Sequence, residues 1–433
     1  MHEHSPGEPP VSRRTFLGGA GAAALAGLAA ACSSDSTATV EPAAKPPPSG
    51  ETAPSPAATP AVAPASAVPF AGPHQGLVLQ PVTAAGLVAS FDVTASNRDE
   101  LAATFQTLSA EVERIMGGRA NDPSDEFLPP IDSGAIGSET TTAGTAVAVA
   151  VGASLFDDRF GLADMRPREL IAMPQFFNDR LVRPELSHGD IALTITGPDQ
   201  QSIAFALHQV VRVTERRLQL RWVQEGYNQL LPPDPDRLAP TRNLMGFRDG
   251  TSNLDTADVD VMNEHVWVGA GDGEPDWAVG GTYQATRVIR MLIEFWATAA
   301  LVRQEQIFGR HRDTGAPLGQ TAEAEEPSFA DNPADETIPR RAHMRLANPR
   351  TPDAARILRR GFSYLNGVSA EATLDQGLLF SCYQRSLTRG FLAVQSRLDG
   401  EPLEDYIKPV GGGLFFILPG PGDAGWLGES LLG

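Results

Sequence analysis

Leu87-Val88-Ala89-Ser90-Phe91-Asp92-Val93, followed by the run 99–116, carries the first decision about the fold. The seven residues are mostly apolar, with a β-branched and an aromatic member, and read as a strand. In the run that follows, Leu101, Phe105, Leu108, Val112 and Ile115 recur at spacings of three and four, so they share one face of a helix. The same pairing returns further on. Ile191-Ala192-Leu193-Thr194-Ile195-Thr196-Gly197 reads as a strand, 200–215 as a helix and 218–223 as a third strand. The second half repeats the theme, with strands expected at 282–294, 357–360 and 377–383 and a helix at 387–397. Strand, helix and strand with short returns predict α+β units built on antiparallel sheets rather than a doubly wound parallel sheet.

The 433 residues suffice for one large domain or two of ordinary size, and 42% hydrophobic against 20% charged residues is a globular balance. The net charge is −19, from 34 basic and 53 acidic residues. Nucleic acid, which is held by neutralising its phosphates, is therefore not an expected partner. Cys32 and Cys382 are the only cysteines, which excludes a zinc site closed by thiolates or a four-cysteine iron–sulfur cluster. The C-x-x-C-H pattern of covalent haem attachment is also absent.

Residues 1–32 read as an export signal. Ser12-Arg13-Arg14-Thr15-Phe16-Leu17 stands before a weakly hydrophobic Ala/Gly run, the mark of the twin-arginine route and its export machinery. That route carries folded cargo, which suits a cofactor inserted before export to the periplasmic or extracellular face. Ala29-Ala30-Ala31 fits a signal-peptidase site, and Cys32 directly after it also fits a lipoprotein acceptor that would anchor the chain to a membrane. Gly19-Ala20-Gly21 with Ala24 matches a dinucleotide-loop pattern but lies inside the signal, with no strand before it. Residues 33–69, mostly Ala, Pro, Ser and Thr, have little to bury and are expected to form a disordered tether.

Four stretches further on carry chemistry. In Gly246-Phe247-Arg248-Asp249-Gly250-Thr251-Ser252-Asn253 the flanking glycines suit either a tight turn or a close approach to a bulky ligand. Arg340-Arg341-Ala342-His343-Met344-Arg345-Leu346-Ala347-Asn348-Pro349-Arg350 sets one histidine among four arginines, a local reversal of charge that suits an anionic ligand. In Ile357-Leu358-Arg359-Arg360-Gly361-Phe362-Ser363-Tyr364 the adjacent arginines face opposite ways, so one can enter a cavity while the other reaches solvent. Gly377-Leu378-Leu379-Phe380-Ser381-Cys382-Tyr383 is an apolar strand.

In this order, and with the tail Gly411-Gly412-Gly413-Leu414-Phe415-Phe416, these stretches resemble the dye-decolourising (DyP-type) haem peroxidases over residues 71–433. They are most similar to the exported subgroup linked to iron uptake, the deferrochelatase/peroxidases. The resemblance implies two ferredoxin-like domains, 70–240 and 241–433, with non-covalent haem b held mainly by the second. It implies His343 as the proximal iron ligand, and Asp249 and Arg359 as the distal pair. Gly250, Thr251 and Ser252 would lie against the haem, Asn348, Pro349 and Arg350 near its propionates, and Leu378 and Phe380 would wall the distal pocket. Asp405 is the candidate carboxylate for the far nitrogen of His343, and the acidic insertion at 323–336 has no assigned role.

Those residue types suit reduction of hydrogen peroxide. A single histidine ligand leaves one position on ferric haem open. A carboxylate can take a proton from one peroxide oxygen and return it to the other, while an arginine stays charged and stabilises the departing oxygen. Small phenolic or dye-type aromatic donors would then give one electron at a time, with Trp222, Trp267, Trp277, Trp296 and Tyr383 available as relays. The same residues also serve release of iron from haem leaving protoporphyrin. A haem-binding lipoprotein that only carries its ligand would need neither Asp249 nor Arg359, and self-association into a homo-oligomer is a further open expectation. An unperturbed aspartate titrates near pH 3.9, so a reaction served by Asp249 is expected to run fastest at roughly pH 4 to 5. Steady-state rates across about pH 3 to 8 check this, and a maximum at neutral pH speaks against the carboxylate.

Overall fold

Strand β1 (Ala85–Val93) runs into helix α1 (Arg98–Met116), which starts where the Asn97 side chain accepts a hydrogen bond from the Glu100 N–H at 2.9 Å. The computed structural model describes residues 68–118, 142–329, 336–351, 354–422 and 425–433, so the expectations for 1–67 lie outside the described residues. After β2 (Ala146–Gly152) and β3 (Ile191–Gly197) comes α2 (Gln200–Val213), capped by Asp199 at the Ser202 N–H, and then β4 (Leu218–Tyr227). A two-stranded ribbon, β5 (Thr241–Arg242) with β6 (Arg248–Asp249), and the short helix α3 (Val259–His265) lead into the second half. That half comprises β7 (Thr282–Met291), α4 (Ile293–Trp296), α5 (Leu301–Phe308), α6 (His343–Ala347), β8 (Leu358–Val368), β9 (Leu374–Gln384), α7 (Ala393–Leu398), β10 (Ile407–Ile417) and α8 (Glu429–Leu432).

The sheet order is β4-β1-β3-β2 in the first half and β8-β9-β7-β10 in the second, each the order of a ferredoxin-like βαββαβ unit. The two sheets join where β10 pairs with β2 (Phe415 opposite Gly152) and β4 meets β8 (Tyr227 opposite Ser363), closing an eight-stranded antiparallel barrel. Leu101, Phe105, Leu108, Val112 and Ile115 of α1 are all fully buried, as their spacing requires. Two strands carry no clear sequence signal. β2 is an Ala/Val run buried along its whole length, so it lacks the alternation of a half-exposed strand, and β10 carries three consecutive glycines. The expected strand 282–294 ends at Met291 and turns into α4, and the helix expected at 387–397 is broken at Gly390, whose ψ of −108° is not helical.

One register places the site. Arg359 stands opposite Cys382 and Gly361 opposite Phe380 on β8 and β9, while Arg287 and Ile289 of β7 face Phe380 and Leu378 from the other side. Opposed residues share a face and successive ones alternate, so Arg359, Gly361, Leu378 and Phe380 point to one side of the sheet. Arg360 therefore points the other way, but not to solvent as expected. It is 9% exposed in the barrel interior, donating to the carbonyls of Arg359 and Gln80 at 3.0 and 2.6 Å, and burial pushes its pKa down.

Arg287 is pinned by Asp179 from the first half, a pair with side chains 3% and 4% exposed. Asp179→Ala strands a buried guanidinium and is expected to cost about 3–5 kcal/mol. Denaturant unfolding checks this, and the double variant Asp179→Leu/Arg287→Met is expected to lose less.

Candidate active site

A cavity of about 280 Å³ lies between the pocket face of the second sheet and helices α5, α6 and α7. Ile289, Met291, Leu378, Phe380, Val394 and Leu398 give it apolar walls. His343, the first residue of α6, enters it, and its ring lies 6.0 Å from that of Phe308. Nδ1 of His343 meets both carboxylate oxygens of Glu401 at 2.9 Å, which leaves Nε2 for a ligand. Burial works against charge on the ring, but the Glu401 carboxylate outweighs it and holds the imidazole above its ordinary pKa. Asp405, the expected partner, is exposed at the far end of the one-turn helix Pro402–Asp405. The turn begins just after Glu401, so the residue before it, and not the one closing it, faces the histidine.

The stretch 246–253 takes the first of its two readings. It is a turn, with Gly246 at φ +86° and Gly250 at φ +106°, and it brings Asp249, Gly250, Thr251 and Ser252 to the cavity wall. Asp249 Oδ2 lies so close over β8 that a Cβ on Gly361 would sit 3.1 Å from it. Arg359 donates to the Thr251 carbonyl at 2.7 Å, and Asn253 clamps its backbone, taking the N–H and giving to the carbonyl, both at 2.9 Å. Both Asp249 and Arg359 are near enough to bear on the charge of His343.

Asn348 and Arg350 line the cavity, whereas Pro349 between them does not. A further arginine, Arg310, was not among the expected residues. Arg310 and Arg350 both donate to the Ser252 hydroxyl, at 3.3 and 3.2 Å. Burial, and then the charge of Arg350, push Arg310 down to about 10, and Arg350 is lowered by burial as well. Two crowded, desolvated guanidiniums favour an anionic ligand. The signal was available, since Arg310-His311-Arg312 is another basic cluster in an acidic chain. Among the aromatic residues, Trp296 reaches the cavity through Phe308 (ring centroids 5.8 Å apart), whereas Tyr383 faces the barrel interior with Arg360.

The insertion that had no reading supplies counter-charge. Glu323, 3% exposed, pairs with Arg248, Glu326 with Arg350 and Glu336 with Arg345, while 330–335 lie outside the described residues.

One imidazole backed by a carboxylate, apolar walls broad enough for a flat macrocycle and arginines for acidic side groups fit a haem, an iron that brings four nitrogen ligands of its own. The Dyp-type peroxidase models match the chain at 75–228 (N-terminal) and 240–421 (C-terminal). The deferrochelatase of Escherichia coli O6:K15:H31 is 40% identical over all of this chain and 99% of its own length. That of Yersinia pseudotuberculosis is 44% identical over 84% of each. The ferric DtpA of Streptomyces lividans superposes with a TM-score of 0.76 at 30% identity, covering 87% of this chain and all of its own. The chain belongs to the Dyp-type peroxidase family. Within it, the chain falls in the deferrochelatase subgroup, and its cofactor is non-covalent haem b.

Glu401→Ala removes the acceptor behind His343 and is expected to weaken haem affinity by about 10–100-fold. Asp405→Ala is expected to leave it unchanged. Spectrophotometric titration of the haem-free protein separates the two.

Proposed function

We infer that this chain is an exported haem-b peroxidase whose His343 Nε2 binds the iron and whose Asp249 and Arg359 handle the peroxide. The observation that carries the reading is the Glu401–His343 contact inside the cavity that Asp249 and Arg359 also line. Bound haem supplies the iron that reacts with peroxide and takes single electrons from aromatic donors.

The chain's own residues do the rest. Glu401 holds the Nδ1 proton of His343 and thereby orients the ring and strengthens Nε2 as a donor. The Asp249 carboxylate accepts a proton from one peroxide oxygen and returns it to the other. The Arg359 guanidinium, fixed by Thr251 and Asn253, stabilises negative charge on the departing oxygen. Arg310, Asn348 and Arg350 would hold the carboxylates of the bound haem, and Leu378 and Phe380 would limit water in the cavity that they line. Trp296 is the relay for donors too bulky to enter.

The twin-arginine segment at 12–17 supports export of the folded, loaded protein to the periplasmic or extracellular face of the envelope. Cys32 supports a lipid anchor there. Among the described residues no helix is long and apolar enough to cross a membrane. A second reading, release of iron from haem with the porphyrin intact, is favoured by the name that the 40–44% identical relatives share.

His343→Ala is expected to lose the five-coordinate ferric spectrum, and retention of that spectrum overturns the assignment of the iron ligand. Asp249→Ala/Arg359→Ala is expected to keep haem but to slow its reaction with peroxide by at least about 100-fold in stopped-flow absorbance. Incubation with haem, followed by fluorescence of free protoporphyrin against peroxide turnover, decides between the two activities.

A further inference from the structure

Glu323 is a buried carboxylate on the insertion, outside the cavity wall, yet its donors all come from the stretch 238–251 that leads into and carries Asp249. It accepts from the Leu238 and Ala239 N–H groups at 3.2 and 3.0 Å, where the chain enters the β5–β6 ribbon. It also accepts from the Arg248 guanidinium and from the Thr251 hydroxyl, the side chains on either side of Asp249-Gly250. Thr251 in turn offers its carbonyl to Arg359 at 2.7 Å. One carboxylate therefore fixes both flanks of Asp249 and, through one further bond, the guanidinium of Arg359. Packing leaves little slack, because a Cβ on Gly315 would lie 2.8 Å from Arg248 Cδ and 3.2 Å from Glu323 Cδ.

Simple stabilisation explains this poorly. A buried ion pair gains little net stability over apolar residues of the same shape, since desolvation offsets the attraction. A surface-exposed pair would have neutralised Arg248 at smaller cost. Four donors converging on one carboxylate also leave it few alternative arrangements.

We propose that Glu323 is a positioning residue that locks the 246–253 loop, and with it Asp249 and Arg359, in the geometry that meets the peroxide. The proposal rests on the roles given above to that pair, and its first test does not depend on them. In the haem-free full-length chain, Glu323→Ala and the isosteric Glu323→Gln are expected to speed amide hydrogen exchange across 246–253 by about 10–100-fold, Ala more than Gln. Exchange in β7 and β9 is expected to stay unchanged, and both variants are expected to bind haem. In the loaded enzyme the reaction with peroxide is expected to slow about 10–100-fold in Glu323→Ala, with a smaller loss in Glu323→Gln. Added to Asp249→Ala/Arg359→Ala, the substitution is expected to cause no further loss.

Loop exchange within about two-fold of the parent in Glu323→Gln overturns the proposal, whether or not the alanine variant folds. So does faster exchange spread evenly over the whole chain, which marks a general loss of stability. An additional loss in the Asp249→Ala/Arg359→Ala background overturns it too. If that double variant itself reacts with peroxide at the parent rate, the roles assigned to Asp249 and Arg359 fall, while loop exchange still decides for or against the lock.

Discussion

The pairing of β8 with β9 is the constraint from which the site follows. With Gly361 opposite Phe380, the pleat sends Arg359, Leu378 and Phe380 to the cavity and Arg360 to the barrel interior. A slip of one residue would exchange the two arginines and bury the wrong one. It would also put a side chain where Gly361 now leaves room for the Asp249 carboxylate. The register is held from both edges, by β7 through the Arg287–Phe380 and Ile289–Leu378 pairs, and by Arg360 reaching across to the Gln80 carbonyl in the first half. The closed barrel is thus not only a way of joining two sheets. It fixes which face of β8 looks at the cavity.

Charge is arranged in the opposite sense to the whole molecule. A chain of net charge −19 gathers Arg248, Arg310, Arg350, Arg356 and Arg359 around one cavity. Left unbalanced, such a cluster would repel itself, and the charge of Arg350 adds to burial in lowering the pKa of Arg310. The insertion answers part of it, with Glu323 on Arg248 and Glu326 on Arg350. Arg310 donates to a carbonyl and a hydroxyl and, among the described residues, pairs with no carboxylate within bonding distance, so an anionic ligand would stabilise it.

What could be read from the chain and what could not divide along physical lines. The helix α1 and the strands β1 and β3 rest on apolar patterning, a local property of sequence, whereas the choice of Arg359 over Arg360 rests on the family resemblance. β2 and β10 escaped because a run of only Ala, Val and Gly, and a strand interrupted by a proline and three glycines, show no apolar–polar alternation to detect. Glu401 was missed in favour of Asp405 because a carboxylate meets its histidine across 58 residues of chain, and where a one-turn helix begins decides which acid faces inward. The acidic insertion carried no reading from sequence. Its meaning is long-range, a partner for arginines as many as 75 residues away, and no local pattern announces it.

Two units of the same topology sit in one barrel, and the cavity that His343 enters lies against the second. The difference lies in the helices that cover each sheet. In the first half α1, 19 residues long, packs on β2, and α2, 14 residues long, packs on β1 and β3, with Leu101, Phe105, Leu108 and Ile203 fully buried between the layers. In the second half the covering helices α4 to α7 have only four to eight residues each. Short helices cannot fill an interlayer of that width, and the volume they leave lies over Leu378 and Phe380. Their ends also lie close to that volume, which is how His343, the first residue of α6, reaches the cavity at all. An interior gap in a packed protein is costly unless something fills it, so the second half is built as the incomplete layer that a flat, apolar macrocycle with an acidic edge would complete.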